Sequence, residues 1–235
     1  PLAKDLRFVP FLLFGVWILI IVMAAISNRN VHPDEYVHMA ATSYYQDNWL
    51  PPALESEEIR GTYSVYGVSR LNNGEVYYLF AGKFERLIQD FRLSEVLALR
   101  MFNVFLFGVI LLYTIAVKHA RMVALPFLIS PQIWYVFSYC GSDAFALFVA
   151  FLAGCQLIHP DSLLHRYLKG DEWKTNLLGA ISLSILLGVL FLLKKNYYPF
   201  IAFFYLCLGI KFFIKKEFFW NQKEALGRLL FITLA

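Results

Sequence analysis

Hydrophobic runs of bilayer length alternate with short charged stretches along most of this 235-residue chain. A spanning helix needs about 20 mostly apolar residues. Six runs approach that length: Phe8 to Ser27, Met101 to Val117, Met122 to Tyr139, Ala144 to Ile158, Leu177 to Leu193 and Tyr197 to Ile214. A seventh opens at Leu229 and is cut by the end of the sequence at Ala235; the chain starts on Pro1, so both ends read as those of a longer protein. Pro126 and Pro131 lie inside the third run and predict a kink there, with neighbouring helices satisfying the freed carbonyls. The first run is too long for a signal-peptide core and lacks a small-residue cleavage pattern, so it reads as an anchor. The expected fold class is all-α: a polytopic transmembrane helix bundle of about seven spans, the last truncated, forming one transmembrane domain over 1–235.

One stretch breaks the regularity. Between the first span (8–27) and the remaining spans (101–235) lies a segment, 28–99, far longer than the few residues that usually join packed elements. Its recurring Tyr, Trp and Phe argue against disorder. Asp34 to Trp49 has helical character and is broken by Pro51-Pro52, while Glu75 to Leu97 reads as an amphipathic helix with Leu79, Phe80, Phe84, Leu87, Ile88 and Phe91 on one side. Two helices along the membrane surface are therefore expected in this loop. Its Asn48 to Asn73 stretch carries no motif that points to a substrate.

Composition agrees with the pattern: 59% of residues are hydrophobic and 16% charged, against roughly 45–50% and about 25% in soluble domains. Lys and Arg set the orientation, because cytoplasmic loops are enriched in them. With the N-terminus in the cytoplasm, Lys4 and Arg7, Lys118 and Arg121, Arg166, Lys169 and Lys174, and the group Lys211 to Arg228 all fall inside. The acidic 28–99 loop and a short turn at Cys140 to Asp143 then face outward. The predicted location is a cell (cytoplasmic or inner) membrane, multi-pass, with the site on the extracytoplasmic side. Basic residues beside apolar runs are a topology signal, so no nucleic-acid partner is expected. Cys140, Cys155 and Cys207, far apart and odd in number, read as reduced packing residues.

Candidate chemistry concentrates in His32-Pro33-Asp34-Glu35, with His38 one turn later. Pro and acids suit a helix start. A carboxylate at a membrane boundary also suits a general base that deprotonates an acceptor hydroxyl. Asp143, in Cys140-Gly141-Ser142-Asp143, is either a helix cap or a second acid on the same face. Lys194-Lys195-Asn196-Tyr197-Tyr198-Pro199 places two lysines outward against the positive-inside bias. They fit either a phosphate anion or snorkelling towards headgroups. His32, Asp34, Glu35 and His38 offer metal-ligand chemistry, yet their spacing matches no zinc pattern; no cofactor is expected, with a divalent metal left open. No Gly-rich phosphate loop, nucleophile elbow or Cys/His dyad supports ATPase, hydrolase or redox chemistry.

With Asp34 and Glu35 straight after the first span, the long first outer loop, Asp143 in the second and the Lys-Asn-Tyr-Tyr-Pro segment, the chain resembles the GT-C superfamily. These are multi-spanning glycosyltransferases that take sugars from polyprenyl-phosphate carriers, and the resemblance covers the N-terminal seven-helix module. It implies inverting transfer to an unidentified glycan, lipid or protein acceptor. Asp34 would be the base, Glu35 would support or substitute for it, and Asp143 would be a second catalytic acid. His32, His38, Lys194, Lys195, Tyr197 and Tyr198 would bind substrate, the lysines neutralising the departing phosphate. The competing readings are a transporter or flippase of a lipid-linked anion, which calls for acids near mid-membrane, and a non-catalytic assembly subunit.

Overall fold

The computed structural model describes residues 6–72, 75–170, 173–218 and 222–235, with backbone alone for 173–176. Lys4 lies outside the described residues. The described structure is helical, its one extended pairing being an isolated bridge between Tyr63 and Ser69. It forms two compact units, one ending at Phe148 and the other starting at Val149.

In the first unit, α1 (Val9–Ile26) carries a single buried stripe, Val9, Leu13, Val16, Ile20 and Ala24, at helical spacing. That stripe packs on α4 (Glu95–Ala116), and Trp17 Nε1 donates to the Val104 carbonyl at 2.9 Å. Much of the rest of α1, including Phe11, Phe14, Ile18 and Val22, is exposed, as a lipid-facing surface requires. Between these two helices lie α2 (Glu35–Asp47) and α3 (Tyr77–Ile88). They cross at Gly82, where a Cβ would stand 2.5 Å from the Thr42 carbonyl oxygen, so only glycine permits the approach. Thus α2 is present as expected, but the amphipathic helix expected over Glu75 to Leu97 is shorter. It ends in a 3-10 turn, Gln89–Phe91, followed by Arg92 at φ +52°. Ser94 then caps the next helix by accepting from Leu97 N, so the second membrane helix starts at Glu95 and not Met101.

The run Met122 to Tyr139 is not one kinked span. Pro126 and Pro131 divide it into α5 (Ala120–Val123), α6 (Leu125–Ile129) and α7 (Pro131–Phe137). Each proline takes a first-turn position, where its missing N–H costs least. A bend of 115° separates α7 from α8 (Ser142–Ile158). In the second unit, α9 (Leu163–Lys169), α10 (Trp173–Phe191) and α12 (Gln222–Leu234) pack on one another. Lys195–Tyr197, α11 (Tyr198–Gly209) and a π-turn over Ile210–Ile214 form one continuous rod. Among the described residues, three helical stretches are long and apolar enough to cross a membrane: Val9–Ile26, Glu95–Ala116 and Lys195–Ile214. The bent pair α7 and α8 makes a fourth if it is one span. The chain is therefore a helical membrane protein, with three or four helices of spanning length among the described residues.

Candidate functional site

The two neighbouring acids of the loop motif have opposite environments. Glu35 is fully buried on the first turn of α2, and both its oxygens accept from Arg100 of α4: Nε to Oε1 and Nη2 to Oε2, each at 2.8 Å. The same guanidinium donates to the carbonyls of Ala24, Ser27 and Asn28 at 2.9, 2.7 and 3.0 Å, closing the end of α1. All five of its N–H donors are used. The Cys140 amide also donates to Glu35 Oε1, at 3.4 Å. Glu35 thus ties the start of α2 to the end of α1, to α4 and to the turn before α8.

Asp34 is the residue that precedes α2, in the left-handed region at φ +54°, with no side-chain capping bond. Its carbonyl accepts from Val37 N and His38 N, so its backbone starts the helix while its carboxylate points elsewhere. That carboxylate, 22% exposed, receives Arg70 Nη2 at 3.3 Å. Arg70 also lies 3.9 Å from Glu75 and so stands between two acids. A small turned loop presents it: Ser64 N donates to Val68 O, Gly67 turns at φ +74°, and Arg70 N donates to Thr62 O. The Asp34 side chain therefore does not cap the helix it precedes.

The histidines sit among tyrosines. His38, buried on α2, shares a 2.8 Å hydrogen bond with the Tyr78 hydroxyl and stacks on that ring. His32 lies between Tyr139, stacked at 4.9 Å, and Tyr135 at 5.0 Å. It is 6% exposed and neither ring nitrogen has a hydrogen-bond partner. Burial lowers its pKa below the usual 6.5, as does the Arg100 charge, with Glu35 opposing, so the ring is neutral near pH 7. Asn103 of α4 holds the turn before α8 by donating to the carbonyls of Tyr139 and Gly141 at 2.6 and 3.0 Å. Gly141 N donates to the Tyr77 hydroxyl. Asp143 follows this turn, half-buried on the first turn of α8 and within electrostatic range of Tyr139. The loop motif and the Cys140 to Asp143 turn thus meet in one polar cluster.

No known family model, curated protein or solved structure matches the chain.

Lys194, Lys195, Tyr197 and Tyr198 belong to the second unit, at the start of the α11 rod. Lys195 is exposed, Lys194 and Tyr197 are half-buried, and Tyr198 donates to the Phe191 carbonyl at 3.5 Å. Elsewhere in that unit Lys211 reaches both His165 and Glu217, at 3.0 and 2.9 Å. Among the described residues no group of three or more His, Cys, Asp and Glu is placed to hold a metal ion. The four loop residues that offered ligand chemistry face different partners: Tyr135 and Tyr139, Arg70, Arg100, and Tyr78. Sequence reasoning missed Arg100, Arg70, Glu75, Asn103, Tyr77 and Tyr78. Arg100 alone left a signal, being a charge directly abutting an apolar run.

Proposed function

We propose that the protein is an integral membrane glycosyltransferase that moves a sugar from a polyprenyl-phosphate-type donor to an acceptor hydroxyl, with inversion, using Asp34 as general base. The seven-span topology with a cytoplasmic N-terminus and an extracytoplasmic site is part of this reading, supported by the side on which the basic residues fall. One observation carries the assignment: of two adjacent acids, Glu35 is sealed against Arg100, whereas Asp34 is partly open, uncapped and held in a strained backbone conformation. Adjacent carboxylates with such different surroundings take different roles. Backbone strain of this kind concentrates at working sites.

In this reaction the acceptor O–H gives its proton to the Asp34 carboxylate as its oxygen bonds to the anomeric carbon. The anomeric C–O bond to phosphate breaks, and the polyprenyl phosphate leaves with the electron pair. Arg70 orients Asp34, and Glu35 with Arg100 fixes the helix start that carries it. In the second unit, Lys194 and Lys195 supply cationic donors of the kind a lipid phosphate calls for. The test is transfer from radiolabelled polyprenyl-phosphate sugars in membranes containing the protein, compared with membranes lacking it. Label appearing in a non-donor product only with the protein supports the reading, and equal label in both membranes overturns it.

A further inference from the structure

Away from Asp34, at the other end of α2, lies a cavity of about 470 Å³, within the size range of small-molecule sites, roughly 300–1,000 Å³. Tyr45, Trp49, the two prolines Pro51 and Pro52 and four aliphatic side chains form its wall, and Asn72 and Glu75 supply its polar edge. We propose that this cavity binds a neutral saccharide unit, as the acceptor subsite of the transferase.

Hydrogen bonds hold one wall of the cavity in place. Asn48 Nδ2 donates to the Tyr44 carbonyl and the Tyr44 hydroxyl to the Leu50 carbonyl, at 2.9 and 3.2 Å, which pins the turn carrying Trp49. Lys83 covers one face of the indole at 4.3 Å while donating to the Gln46 carbonyl at 3.0 Å. Two consecutive prolines stiffen the adjoining wall. Preformed walls reduce the ordering cost of binding.

The chemistry of the lining selects the ligand. Glu75 is 7% exposed, and a buried carboxylate is costly beside an all-apolar chain that offers it no hydrogen bond, which disfavours a lipid tail. Arg70 is shared between Glu75 and Asp34 and offsets only part of their charge, but the Lys83 ammonium already sits on the Trp49 ring, the aromatic surface a cationic ligand would use. A ligand with apolar C–H faces for the aromatic wall and hydroxyls for Glu75 and Asn72 remains, and that is a sugar ring. Arg70 also contacts Asp34, so one guanidinium lies between the carboxylate of the cavity and the proposed base. The inference rests on the transfer reading for its acceptor role, and on the cavity alone for binding.

The test is direct binding to the full chain in phosphatidylcholine nanodiscs, followed by saturation-transfer NMR with methyl glycosides of glucose, galactose, mannose and N-acetylglucosamine. Tetramethylammonium and hexanol serve as cationic and apolar controls. We expect at least one glycoside to bind, weakened about tenfold or more by Trp49→Ala, and retained in Trp49→Tyr. Circular dichroism of the two Trp49 variants separates loss of binding from loss of fold. Absence of glycoside binding, binding untouched by Trp49→Ala, or preference for either control overturns the proposal. Glycoside binding without transfer activity would keep the cavity assignment and remove the transferase reading; transfer without Trp49-dependent binding would do the reverse.

Discussion

Arg100 and Glu35, 65 positions apart in the chain, meet through two parallel hydrogen bonds of 2.8 Å with neither side chain open to solvent. The remaining donors of the guanidinium bind the Ala24 carbonyl in the last turn of α1 and those of Ser27 and Asn28 just beyond it. One residue thereby joins the first membrane helix, the loop motif and α4. Removing one partner of a buried pair strands the other charge, at a cost of about 3–5 kcal/mol. Arg100→Met and Glu35→Gln should each lower the unfolding midpoint in detergent sharply. The double variant should be less destabilised than the sum of the two, as a double-mutant cycle would read out.

Gly82 allows a second, independent check on the packing of the loop helices. A Cβ at this position meets backbone atoms of Thr42, Tyr45 and Gln46 between 2.5 and 2.9 Å, none of which belongs to a movable side chain. Gly82→Ala should therefore force α2 and α3 apart and destabilise by roughly 1–3 kcal/mol. Limited proteolysis should cut residues 48–72 faster in this variant. Unchanged cleavage would contradict the close crossing.

These two sites also mark what a sequence can and cannot disclose here. The apolar length of α1 and the extent of α2 were readable, because hydropathy and the Pro51-Pro52 break determine them. Arg100 directly precedes the run that opens at Met101, and a lone charge there looks like an interruption when its neutralising partner lies in another segment. The short helices of Met122 to Tyr139 were underestimated for a related reason. Hydropathy registers apolar length, whereas two prolines only five positions apart decide helix continuity. Within the site, His32, Asp34 and Glu35 were legible as a motif. That Glu35 is sealed against Arg100 while Asp34 meets Arg70 depends on residues in other segments, which no local pattern reveals.

His32 gives the fold a pH dependence. Its native pKa is pushed down chiefly by burial, below the usual value of 6.5, so the unfolded chain binds more protons than the folded one as acid is added. The stability that neutral His32 contributes is present above pH 6.5 and drains away as pH falls through its lowered native value. His32→Phe keeps an aromatic ring between Tyr135 and Tyr139 and removes two buried nitrogens that lack hydrogen-bond partners. Unfolding midpoints measured from pH 7 to pH 5 should fall less steeply for His32→Phe. Parallel curves for the two proteins would contradict the assignment.

Asp34 carries the central claim, and the most direct measurement compares initial transfer rates of Asp34→Asn and the unsubstituted protein at equal membrane abundance. Asn also tolerates the left-handed conformation, so the helix start should survive. The account predicts a fall of about 10²- to 10⁴-fold in rate, the usual contribution of a general base, with an unchanged unfolding midpoint. A full transfer rate in Asp34→Asn would contradict it.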